Sequence, residues 1–296
     1  MNKVMQFPLV RIVVAILFLG IGILVAQTIL NLLRSAFSIT DLGTANILAF
    51  VLITPCTYFA YWMYVRTIEK RDLSELGFSG APREFSLGSL TGFGLFALVI
   101  ATLWLLGYYR VGGFSFVLLT FVGALLGAFA SGFAQELIFR AVIYRITEKW
   151  LGTWWAIAIS ALLFGLIHLT SAGATVFSAL AVALQAGVLL AAAYALTHRL
   201  WLALGIHVGW DFANDGIFGV GVAGQSGQSI KGLLQANLNG PSLFTGGALG
   251  VEASLITLVV MLIASFILLR MAYQKSQWGS RKNQSWLMDR LGKTSQ

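Results

Sequence analysis

Glu136 and Arg140 stand four residues apart in SGFAQELIFRAVIYR, residues 131–145, inside an otherwise apolar region. At that spacing a carboxylate and a guanidinium share one helix face and can pair. His207 and Asp211, in HVGWD, repeat the interval, and Phe164 and His168, in FGLIH, repeat it again. Charge at membrane depth is costly, so each such group is a functional-site candidate by default. Gln135, Glu136, Arg140, His168, His207 and Asp211 therefore form a candidate cluster. Such a set can do general acid–base work: a carboxylate or imidazole takes a proton from water while other groups polarise a carbonyl or hold an oxyanion. The plainer reading of Glu136 and Arg140 is a buried structural pair. What favours chemistry is the convergence of three polar pairs in a chain nearly empty of them.

The surrounding chain is 58% hydrophobic and 10% charged, against about 25% charged in soluble domains. This composition indicates a membrane protein. A spanning helix needs about 20 mostly apolar residues. Eight runs meet that description, near 9–33, 45–65, 86–109, 115–145, 153–168, 174–197, 202–220 and 248–272. Period-2 alternation is absent, which argues against a β-barrel. The fold class expected is an all-α bundle of about eight transmembrane helices: a membrane domain over 1–275, then a basic tail over 276–296. None of the four prolines is expected to break a run, and the single Cys56 rules out a disulfide framework. The glycine-rich interval 216–250 reads as a lid, a plug or a plain loop.

Charge placement orients the bundle. With the N-terminus inside, the loops near 66–85, 145–152 and 198–201 and the C-terminal region hold thirteen Lys and Arg, and the opposite loops hold three. That is a positive-inside bias, placing both termini in the cytoplasm of a multi-pass protein of the cell (inner) membrane.

Runs four and five read as an antiparallel hairpin turning at WLGTWW. Glu136 lies 15 residues before Leu151 and His168 lies 17 after it. At 1.5 Å rise per residue they stand about 23 and about 26 Å from the turn, at one depth. His207, 7 residues past Leu200, reaches only about 10 Å by the same rise. For it to join them, the turn between runs six and seven must lie deeper in the membrane.

QELIFR at 135–140, FGLIH and HVGWD occur in the order Glu-Glu-x-x-x-Arg, Phe-x-x-x-His, His-x-x-x-Asn/Asp. In this the chain resembles the CPBP family, the type II CAAX prenyl proteases and bacteriocin-processing (Abi) intramembrane endopeptidases. The stretches IEKRDLSELGF and GPSLFTGGALGVEAS add to the likeness, which covers about 45–270. The resemblance implies that the first acid of the pair activates water and that Glu136 and Arg140 form the supporting pair. It also implies that His168, His207 and Asp211 hold the water and stabilise the oxyanion. The departure falls on the first position, which is Gln135. A neutral amide cannot accept a proton. Glu136 does not simply take over, because adjacent helical residues point about 100° apart.

The function expected is an intramembrane endopeptidase hydrolysing a peptide bond, with its site in the cytoplasmic half of the membrane. A catalytically silent immunity or binding protein is the alternative that Gln135 raises, and a proton-coupled transporter is a third. No cofactor is expected. A zinc ion on His168 and His207 is the alternative that two histidines and a carboxylate leave open, although His-Glu-x-x-His is missing. The partners expected are membrane lipids and a membrane-bound peptide or protein, with no nucleic acid.

Overall fold

The computed structural model describes residues 7–171, 173–220 and 232–276. The basic tail from 277, and residues 221–231 of the glycine-rich interval, lie outside the described residues. The first three long helices are α1 (Pro8–Ala36), α2 (Leu42–Tyr64, running on as a π stretch Val65–Glu69) and α3 (Ala81–Leu105). Strand β1 (Tyr109–Phe114) leads to α4 (Leu118–Glu136), which continues as a π stretch Leu137–Tyr144 and then as α5 (Arg145–Leu151). Next come α6 (Thr153–Ile167), α7 (Val176–Val182), a π stretch Ala183–Gly187, α8 (Val188–Thr197) and α9 (Leu200–Asp211) with its π extension Phe212–Phe218. The chain ends in β2 (Leu234–Leu238), the short α10 (Ser242–Thr245) and α11 (Leu255–Ser276).

Among the described residues, seven helical segments are long and apolar enough to cross a bilayer. They coincide with runs one to six and run eight. The seventh run is also helical, as α9 and its extension, but it carries His207, Asp211, Asn214 and Asp215. Those polar residues lower its hydropathy, and its walls are other helices instead of lipid: nine of the twelve residues of α9 are buried. Pro55 lies inside α2 without ending it, as membrane helices tolerate when neighbours satisfy the freed carbonyl.

Glycine sets the position of α9. A Cβ at Gly88 would lie 2.5 Å from Leu202 O, and one at Gly92 would lie 2.0 Å from Ile206 O. In return, Cβ atoms at Gly205 and Gly209 would meet Phe85 O at 2.3 Å and Ser89 O at 2.1 Å. Two small-x-x-x-small faces thus let the backbones of α3 and α9 touch.

Strands β1 and β2 form a two-stranded antiparallel sheet, with a bulge between Val111 and Gly113. The sequence reading did not anticipate it. The pairing joins segments over a hundred residues apart; Gly112 and Gly113 blur any alternation in β1, and β2 alternates as LQANL but over only five residues. It places part of the glycine-rich interval in ordered backbone at one end of the bundle.

The opposite end carries the turn at Gly152 (φ 87°) and the left-handed turn at His198 (φ 52°). His198 Nε2 lies 3.2 Å from Glu148 Oε2. Arg199 and Trp201 both donate to the carbonyl of Gly77, at 2.6 and 3.0 Å. The loop before α3 thus packs on the turn between α8 and α9. The π stretch of α4 climbs less per residue than an α-helix, which helps bring His207 level with Glu136.

Candidate active site

The end of α4 supplies the charged pair. Arg140 Nη1 donates to Glu136 Oε1 at 3.0 Å, with both side chains fully shielded from solvent. Arg140 Nη2 reaches the carbonyl of Gly187 at 3.2 Å. Its guanidinium carbon lies 4.5 Å from the centre of the Phe164 ring, a cation–π contact in a desolvated setting. One arginine therefore ties α4, α6 and the π stretch before α8 together.

His207 lies on the other side of the same carboxylate. Its Nδ1 is 2.8 Å from Glu136 Oε1, and its Nε2 is 3.5 Å from Asp211 Oδ2. A carboxylate only accepts, so with the ring neutral the shorter contact assigns its one proton to Nδ1, and Nε2 is left as an acceptor beside Asp211. His168 is held by the same logic. Its Nδ1 lies 2.8 Å from the carbonyl of Phe164, again a pure acceptor. Phe164 packs between the rings, 5.0 Å from His168 and 5.8 Å from His207. The aromatic residue four before His168 is thus the spacer that all three polar pairs share.

His168, His207 and Asp211 line one cavity of about 50 Å³, which is room for several waters at about 10–15 Å³ each. Gln185, Trp210, Glu252 and Met261 line it too. Glu136 and Arg140 lie behind this wall and act on the cavity through His207. Gln135 stands apart: its amide donates to Ser131 Oγ at 2.8 Å. It neither lines the cavity nor bonds to another member of the set among the described residues. Among those residues, no three His, Cys, Asp or Glu side chains group as metal ligands.

The cavity lies toward the end of the bundle remote from the basic turns. His168 follows the last residue of α6, about 24 Å along the axis from Gly152, in a hydrocarbon layer about 30 Å thick. Glu252 enters from the connection before α11. Spacing did not pick out Gln185 or Glu252. Gln185 lies alone in a run of small apolar residues, with no partner at helical spacing. Glu252 looks like a loop acid until the fold closes over it.

Residues 117–213 match the family described as Type II CAAX prenyl endopeptidase Rce1-like. This segment, about a third of the chain, is similar to the CPBP/CAAX protease family. The Rce1-like segment runs from α4 to the beginning of the π stretch after α9, so it holds Glu136, Arg140, His168, His207 and Asp211 together. Glu252 and Met261, which line the same cavity, fall outside it. The chain has no match among curated proteins or solved structures.

Proposed function

We propose that this chain is an intramembrane endopeptidase in which His207, oriented by Glu136, is the general base. The observation that carries this reading is the 2.8 Å contact between His207 Nδ1 and Glu136 Oε1, in a histidine that itself lines the cavity. A carboxylate behind an imidazole fixes its tautomer and stabilises the imidazolium that forms. In the reaction, His207 Nε2 takes a proton from a water in the cavity as the water oxygen attacks the peptide carbonyl carbon. The tetrahedral intermediate collapses with breakage of the C–N bond, and His207 returns the proton to the leaving amine. Asp211, 3.5 Å away, steadies the charged ring. Arg140 holds Glu136 in place through their ion pair. His168 Nε2 is a second acceptor with which to position the water.

This arrangement accommodates Gln135. The base is moved from the first motif position to the histidine that the second position supports, so an amide at 135 costs the mechanism little. The substrate is a membrane-bound peptide or protein, and lipid surrounds the bundle. The loop charges orient both termini to the cytoplasm of a cell membrane, with the cavity toward the opposite leaflet.

The test is cleavage of membrane peptides by purified protein. His207→Ala lowers the rate by about 10²–10⁴-fold, the usual contribution of a positioned acid–base group, and Glu136→Gln, which also leaves Arg140 without its counter-charge, lowers both the rate and the stability. Gln135→Glu leaves the rate within a few-fold. The competing reading, a silent binding protein, takes its support from Gln135. It wins if wild-type protein cleaves nothing and Gln135→Glu restores cleavage.

A further inference from the structure

Hydrolysis at this cavity needs a donor for the carbonyl oxygen as it becomes an oxyanion, and the two histidines do not supply one. Each spends its only neutral N–H on an internal acceptor, His168 on Phe164 O and His207 on Glu136. Gln185 lines the same cavity and is 2% exposed. Its side-chain Nε2 is shielded from solvent and has no hydrogen-bond partner among the described residues. A buried amide N–H left unpaired costs about 1–3 kcal/mol, so its retention calls for a use. Gln185 also lies in the π stretch Ala183–Gly187. Such bulges in α-helices recur at functional sites. Here the bulge also presents the Gly187 carbonyl to Arg140.

We infer that Gln185 donates an N–H of its side-chain amide to the scissile carbonyl oxygen and to the oxyanion that replaces it. The inference rests on the endopeptidase reading above, since it names the electrophilic partner of that site. Gln185 is a catalytic residue in this assignment, and it comes from outside the three spaced motifs.

Two readouts test it. In turnover, Gln185→Met keeps the volume and removes the donor. It lowers kcat by about 10²–10³-fold, the loss seen when one oxyanion donor is removed, with KM little changed. Gln185→Glu, which keeps the shape but has no N–H when ionised, does the same. Thermal unfolding of Gln185→Met in detergent stays close to wild type, whereas the buried carboxylate of Gln185→Glu lowers it. The second readout needs no turnover. A hydrophobic peptidyl ketone, carbon-13 labelled at the ketone, is bound to the protein and its carbonyl stretch is read by infrared spectroscopy. Wild type moves the stretch to lower wavenumber; Gln185→Met abolishes the shift, and Trp210→Phe, another cavity-wall change, preserves it. The inference is overturned if Gln185→Met leaves kcat and the stretch unchanged, if Trp210→Phe alone removes the shift, or if the ketone does not bind. The endopeptidase reading fails separately, if His207→Ala cleaves like wild type.

Discussion

Arg140 is among the most deeply buried residues of the chain, and its stability depends on company. Removing one partner of a buried ion pair leaves an uncompensated charge and costs about 3–5 kcal/mol, whereas replacing both with apolar groups is often neutral. Arg140→Met therefore destabilises by about that amount, and adding Glu136→Leu recovers most of the loss. The double variant nevertheless stays inactive, because His207 has lost its acceptor. Chemical unfolding in detergent, paired with the cleavage assay, checks both halves of this expectation. His198 gives a pH-dependent prediction away from the site. Its hydrogen bond to Glu148, with that charge nearby, raises its pKa against the effect of burial. A raised folded-state value means stability that is fully present below the unfolded value near 6.5 and lost as pH rises through the folded value. Melting temperature measured against pH should show wild type above His198→Gln in acid, with the gap closing in alkali. At this scale the sequence was informative where residues came in pairs: four-residue spacing found Glu136 with Arg140 and His207 with Asp211. It could not show that Glu136 would turn to His207 from another helix, or that Gln135 would turn away to Ser131. Both depend on helix rotation, which one helix's own pattern does not determine.

Helix α9 carries His207, the proposed base, and its placement depends on backbone contact with α3. Gly209→Ala puts a methyl carbon 2.1 Å from Ser89 O, and Gly92→Ala puts one 2.0 Å from Ile206 O. Backbone cannot yield as a flexible side chain does, so α9 must shift outward. Overpacking of this kind costs about 1–3 kcal/mol. The larger effect falls on cleavage, since a displacement of about 1 Å at a reacting group can cost about 10²-fold. Far-ultraviolet circular dichroism is expected to stay unchanged while the cleavage rate falls; intact cleavage in both variants would show that α9 tolerates the shift. The helices themselves were legible as apolar runs, and the hairpin at Gly152 was legible from its turn residues. The two strands were not. Their six and five residues pair only because the bundle brings distant segments to one end, and pairing of that kind leaves little local signature.

Across the whole molecule, a network of charges at the basic end fastens the N-terminal helices to the Rce1-like segment. Arg145, at the beginning of α5, donates to Glu69 at 2.7 Å, and Arg71 bridges Glu69 at 2.6 Å and Glu75 at 2.7 Å. Arg11 on α1 also pairs with Glu69, and Tyr61 donates to Glu75. Glu69 and Glu75 are both 1% exposed. Burial raises the Glu75 carboxyl, but hydrogen bonds from Arg71 and the charge of Arg145 outweigh it and leave the pKa below its ordinary value. A lowered carboxyl contributes stability that is present above the unfolded value and lost as pH falls through the folded one. Acid unfolding is thus expected to begin at this end. Glu75→Gln should shift the midpoint of acid unfolding and leave thermal stability near neutral pH reduced, read by a melting series from neutral to acid pH. The network was not visible in the sequence. IEKRDLSELGF reads as a solvated cytoplasmic loop until the structure folds Glu75 under it.

Two of the cavity's walls, Glu252 and Met261, come from chain beyond the matched segment. The other eleven lining residues lie within it. One side of the cavity can therefore change, through the last connection and α11, while the walls from α6 to α9 stay as they are. Exchanging residues 242–276 between relatives would alter that one side and leave the proposed site residues in place.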